Sequence, residues 1–65
     1  MIGNVKWFSK EKGFGFISDG QRDYFAHYKS IKGTGFKNLE QGQKVEFNTA
    51  KTPKGESAVD IVVID

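Results

Sequence analysis

Apolar and polar residues alternate along most of the chain with a period of two, the spacing of strands that bury one face, and helical periodicity is hard to find. Residues 2–9 (IGNVKWFS), 13–18 (GFGFIS), 24–28 (YFAHY), 44–51 (KVEFNTAK) and 57–65 (SAVDIVVID) read as five short strands. EKG joins the first two tightly, DGQRD at 19–23 supplies turn residues that tolerate positive φ, and TPKG places Pro53 at the second position of a turn. Residues 29–43 carry three glycines and no sustained pattern. They are expected to form a long connection with one helical turn near 30–32.

Five strands with a single long connection between the third and fourth indicate a small all-β fold. A sheet of this size removes its exposed edges most readily by closing on itself, so a five-stranded antiparallel barrel is expected. The 65 residues make one domain, 1–65, without linker, repeat or low-complexity segment.

Alternation in the second strand sends Lys12, Phe14, Phe16 and Ser18 to one face, and Gly13, Gly15 and Ile17 to the other. Large apolar side chains ordinarily turn inward, but Val5, Ile17, Ile31, Leu39, Val45, Phe47, Val59, Ile61 and Val63 already fill a barrel this small. Adding Trp7, Phe8, Phe14, Phe16, Phe25 and Tyr28 would overfill it. Glycines on the Ile17 side also allow the close approach and bending that a tight barrel needs. Phe14 and Phe16 are therefore expected to face outward. Phe25 and His27 share a parity in the third strand, with Tyr24 and Ala26 opposite. Antiparallel pairing of strands two and three would set Phe25 and His27 beside Phe16 and Phe14, with Lys6 and Lys12 at the rim. Trp7 and Phe8 are adjacent, so one joins the core unless a bulge intervenes. Tyr28 is out of step with His27 but lies where the strand ends and can swing round.

Composition sharpens this picture. The nine aromatic residues include seven between Trp7 and Tyr28, while the net charge is only +2. Aromatic clustering with modest basicity favours recognition by stacking over recognition by charge alone. An exposed aromatic patch costs solubility, so it marks a binding site, and single-stranded nucleic acid offers the base faces that a duplex hides. The chain has no cysteine, which fits a reducing cytosol, and no apolar run long enough for a membrane helix or signal peptide. One histidine without cysteine or a carboxylate cluster argues against a metal site, and no motif calls for a cofactor or small-molecule substrate. Catalysis lacks a nucleophile, a His–carboxylate pair and a phosphate loop. A barrel that binds proline-rich peptides would also expose aromatics, but its rim would be acidic where this one carries lysines.

The set VKWF (5–8), KGFGFI (12–17) and YFAHY (24–28), continuing through GFKNLEQGQKVEF, resembles the bacterial cold shock protein family over nearly all of residues 2–64. KGFGFI alone also matches RNA-recognition domains, yet those need two helices and place this strand third. The resemblance implies an oligonucleotide-binding barrel that binds single-stranded RNA and DNA with low sequence specificity. It further implies an RNA chaperone or transcription antiterminator of the cold shock response, in the cytoplasm. By the same resemblance Lys6, Trp7, Phe8, Lys12, Phe14, Phe16, Phe25, His27, Tyr28 and Phe36 fall at binding positions. Phe36 is either a lid over a base or a plug beneath its loop. The family typically has aliphatics where this chain has Tyr24 and Ala26, phenylalanine at Tyr28, and a turn one residue longer than SDGQRD. A monomer is the default state, although long loops between short strands permit strand exchange.

Overall fold

The computed structural model describes residues 1–32, 39–53 and 55–64. Five strands appear in the expected places: β1 (Ile2–Ser9), β2 (Phe14–Ser18), β3 (Asp23–His27), β4 (Lys44–Thr52) and β5 (Gly55–Val63). A 3₁₀ turn, Tyr28–Ser30, follows β3, two residues ahead of the helical turn expected near 30–32. The strands close into a barrel in the order β1-β2-β3-β5-β4, with β4 returning to β1.

Four of the five seams are antiparallel. The fifth, between β3 and β5, is parallel and brief, pairing Phe25 with Ser57 and Ala26 with Ala58. An all-antiparallel barrel was the expectation; the parallel seam arises because the long connection after β3 carries the chain to β4 before β5 returns alongside β3. Beyond that seam Ile31 forms a parallel bridge with Ile61, and the Lys32 N–H donates to the Ile61 carbonyl at 2.7 Å.

Val5, Ile17, Tyr24, Ala26, Ile31, Leu39, Val45, Phe47, Ala58 and Ile61 form one buried cluster, and no polar or charged side chain is buried among the described residues. Two expected core members are absent. Glu46 pairs with Val62 and Asn48 with Val59, so β5 holds one residue more than β4 between those pairs. The bulge is completed by Asp60, whose φ of 53° lies in the left-handed region that Asp tolerates better than most residues. It turns Ala58 and Ile61 inward and releases Val59 to the half-exposed outer side. Val63 pairs with Val45 but ends the strand at the barrel mouth and stays exposed. The Asp60 carboxylate accepts from Asn48 Nδ2 at 3.3 Å and pairs with Lys32 Nζ at 3.4 Å; the Asn48 bond, then Lys32, holds its pKa below the ordinary value.

Tyr24 takes a core position, where the resemblance implies an aliphatic residue. Its ring lies 5.4 Å from that of Phe47, and its hydroxyl escapes burial by donating to Asp19 Oδ2 at 3.2 Å. The other oxygen of Asp19 accepts from the N–H groups of Gln21 and Arg22, each at 2.8 Å, so one carboxylate organises the whole β2–β3 turn. The backbone donors of Arg22 and Gln21, helped by Tyr24, lower the Asp19 pKa. A depressed folded-state pKa contributes stability that is present above the unfolded value, about 3.9, and is lost as pH falls through the folded value. In urea titrations between about pH 2.5 and 7, Asp19→Asn should therefore lower the midpoint at neutral pH, and the gap to the parent should close below about pH 4. A gap that persists unchanged at low pH would show that the charge is not what the turn uses.

Candidate nucleic-acid interface

Three features of the fold build the outer face of β1, β2 and β3. Uninterrupted alternation in β2 and β3 pairs Phe16 with Phe25 and Phe14 with His27, so four rings project from neighbouring strands on the same side. A bulge in β1 sets Val5 opposite Ile17 but Trp7 opposite Phe16, spending the extra residue at Lys6–Trp7. It carries the indole onto the Phe16 side and sends Phe8 inward. The 3₁₀ turn after β3 then redirects Tyr28, whose N–H donates to the Gly13 carbonyl at 2.9 Å. Gly13 has φ +77°, and a Cβ there would sit 2.8 Å from the Tyr28 ring, so the glycine admits both the turn and the tyrosine.

The result is one continuous surface of rings. Trp7, Phe14, Phe25 and Phe16 form a closed quartet, with centroid separations of 5.9 Å (Trp7–Phe14), 5.4 Å (Phe14–Phe25), 6.0 Å (Phe25–Phe16) and 5.5 Å (Phe16–Trp7). His27 extends it at 6.3 Å from Phe25, and Tyr28 follows at 4.6 Å from His27. Trp7 is 40% exposed and Tyr28 38%, while the four rings between are half-buried. Mutual packing limits their rotamers before any ligand arrives, so stacking on them costs little further ordering. His27 Nδ1 accepts from the Lys29 N–H at 3.2 Å, which orients the imidazole and leaves Nε2 as its free polar atom.

Charge at the margin is arranged more tightly than the sequence suggested. Lys6 Nζ pairs with Asp23 Oδ2 at 2.7 Å, so this lysine is held at the edge of the quartet by an exposed ion pair worth at most about 1 kcal/mol. Lys12 is exposed in the turn before β2, and its N–H donates to Ser9 Oγ at 3.2 Å. Of the ten residues singled out by resemblance, the structure brings Trp7, Phe14, Phe16, Phe25, His27 and Tyr28 together and sets Lys6 and Lys12 in exposed positions on β1 and the turn. Phe8 packs partly buried against the core, opposite Gly15, and Phe36 lies outside the described residues.

A surface of this shape suits a flat, partly charged ligand. The 'Cold-shock' DNA-binding domain family matches residues 1–64. The chain belongs to the cold-shock domain family. It is 53% identical over 64 residues to "Probable cold shock protein A" of Mycolicibacterium smegmatis, covering 95% of this chain and 96% of that protein. Identity to "Cold shock-like protein CspE" of Escherichia coli is 48% over 64 residues, covering 95% and 93% respectively. Among solved structures, "drosophila Unr CSD456" superposes with a TM-score of 0.77 at 21% identity. It covers 98% of this chain, which spans 26% of that one, and so attests the fold. Cold-shock domains bind nucleic acid and are not enzymes. Among the described residues no group of three or more His, Cys, Asp or Glu could hold a metal ion, and no helix is long and apolar enough to cross a membrane.

Two residues of this face carry little signal in the sequence. Ser57 stands beside Phe25 only because the β3–β5 seam is parallel, a pairing between distant segments that no local pattern announces. From the sequence Asp23 reads equally as an acceptor for a base edge or as turn capping; in the structure its carboxylate pairs with Lys6.

Proposed function

We propose that this cold-shock domain binds single-stranded RNA and DNA, with low sequence specificity, by stacking successive bases on the ring surface from Trp7 to Tyr28. The observation that carries the reading is the unbroken chain of ring contacts, each within 6.3 Å, on the outer side of three adjacent strands. Every base has a π-face, so a stacking platform tolerates sequence, at about 1–3 kcal/mol per base. Trp7, Phe14, Phe16, Phe25, His27 and Tyr28 stack; Lys6 and Lys12 anchor phosphates. With about four phosphate contacts, the log–log salt slope on a single strand is near −3, at roughly 0.7 per contact. A protein that holds bases apart keeps RNA from pairing with itself, so the cellular role is that of an RNA chaperone or antiterminator acting in the cytoplasm during cold shock.

The single tryptophan reports directly on this reading. Titration with a short oligo-thymidine should quench Trp7 fluorescence strongly, with that shallow salt slope, whereas a matched duplex should leave it nearly unchanged. Equal quenching by the duplex, or a slope steep enough to account for all of the affinity, would replace stacking with backbone electrostatics.

A further inference from the structure

The two ends of the ring platform differ in charge, a contrast that the net charge of +2 conceals. One end is the β2–β3 turn. There Lys6 pairs with Asp23 and Arg22 with Glu56, and Asp19 adds a further anion, so three carboxylates face two cations. At the other end the Tyr28 N–H donates to the Gly13 carbonyl, which pins the 3₁₀ turn after β3 to the turn before β2. That bond brings the chain at Lys29, the residue after Tyr28, close to the chain at Lys12, the residue before Gly13. Lys10 shares the Lys12 turn. All three lysines are exposed, and none forms an ion pair among the described residues. Glu11 is the one anion in these two turns.

The five residues of β2 hold the ends about 13 Å apart, beyond the screening length of about 8 Å at physiological ionic strength. A phosphate over one end therefore scarcely feels the charges at the other. At the β2–β3 end it must compete with Asp23 for Lys6. At the Tyr28 end it meets lysines without competitors.

Lys29 stands at the point where the rings stop. Tyr28 is the terminal ring, 4.6 Å from His27, and the Lys29 N–H donates to His27 Nδ1 at 3.2 Å. The backbone at Lys29 is thereby fixed to the platform, leaving its ammonium as the mobile, unpaired group. A strand with a base on Tyr28 must carry its phosphates past this turn. We propose that Lys29 is a further phosphate-anchoring residue, and that with Lys12 it makes the Tyr28 end the electrostatic anchor of a bound single strand. This rests on the stacking reading above, since only a strand laid along the rings passes both lysines.

Anisotropy of a labelled oligo-thymidine, titrated with the intact chain over a range of salt concentrations, measures the anchor without relying on Trp7. Lys29→Gln should make the log–log salt slope shallower by roughly 0.7, the share of one phosphate contact on a single strand. Lys29→Arg should keep the parent slope, and Lys6→Gln should change it less than Lys29→Gln does. Lys44→Gln is the control. It removes the same charge from an exposed lysine of β4 without an ion pair, and should leave the slope in place. Neutral methylphosphonate linkages at one end of the oligonucleotide should flatten the slope, and the same number at the opposite end should not. A Lys29→Gln slope equal to that of Lys44→Gln overturns the inference, as does an equal effect of neutral linkages at the two ends. Trp7 quenching that persists in those cases leaves the stacking reading standing. Quenching absent from the parent protein removes that reading, and the inference with it.

Discussion

Phe47→Ala will cost the chain about a third or more of its stability, whereas Phe14→Ala will leave it folded and weaken its hold on a short oligonucleotide by about 1–3 kcal/mol, a loss of roughly five- to 150-fold. The two residues are chemically identical, and only their side of the sheet differs. Phe47 is among the most deeply buried side chains, 1% exposed, touching Tyr24 across the barrel axis. Truncating a buried phenylalanine removes its transfer free energy and leaves a cavity, about 3–5 kcal/mol together. Stability of roughly 0.05–0.15 kcal/mol per residue gives 65 residues only about 3–10 kcal/mol in total. No disulfide is available to offset the loss, since the chain has no cysteine. Phe14 is half-buried and packs against the rings of Trp7 and Phe25 on the outer face. Its removal forfeits ring–ring contacts of about 0.5–1.5 kcal/mol each but opens no cavity in the core. Urea unfolding by far-UV circular dichroism, beside a binding isotherm for oligo-thymidine, separates the two effects. Loss of fold in the Phe14 variant of the size expected at Phe47 would mean that the platform is a second core.

That contrast is also where the sequence was most legible. β2 and β3 keep strict alternation, their pairing is local, and a short turn joins them. The side of every residue from Phe14 to His27 follows from a period of two and the inward choice of Ile17. The barrel could be expected as well, because strand count and the position of the long connection leave few ways to close. What escaped was set by non-local or sub-residue geometry. One left-handed residue, Asp60, moves Val59 out of the core and brings Ala58 in while Ile61 keeps its expected inward place, and an aspartate in a run of aliphatics gives no warning of it. The parallel seam that brings Ser57 to Phe25 depends on where a long connection deposits β4 and β5. Tyr24 stands where the resemblance implies an aliphatic residue, and its burial works only because Asp19, five residues away, accepts the hydroxyl. At the site, the Trp7–Phe8 step was ambiguous for a definite reason. Adjacent aromatics cannot share a face without a bulge, and where that bulge lies is decided by β2, not by β1.

Gly15 is the residue that makes this decision, so Gly15→Ala should be among the most damaging of single-methyl changes. A Cβ at that position would lie 2.1 Å from the Trp7 carbonyl oxygen and 2.6 Å from the Phe8 Cα, both backbone atoms with no rotamer to yield, and 2.9 Å from the Phe8 ring. The bulge at Lys6–Trp7 presses β1 onto β2 here, and only a residue without a side chain allows it. Relief requires the β1–β2 seam to part or the bulge to slip, and either movement withdraws Trp7 from the quartet. Overpacking costs typically about 1–3 kcal/mol and more where the backbone must move, a large share of the stability available to so short a chain. Gly20→Ala provides the control. Gly20 has φ +100° but nothing within 4 Å of an added Cβ, so it isolates backbone strain without a clash, about 1–2 kcal/mol. The Gly15 variant should show the lower urea midpoint of the two. At low temperature, where it is folded, its Trp7 emission should be altered and no longer quenched by oligo-thymidine, while the Gly20 variant keeps both. Equal midpoints with intact quenching would mean that β1 can retreat from β2 without cost, and that the bulge is held by the rings outside the barrel rather than by the missing side chain within it.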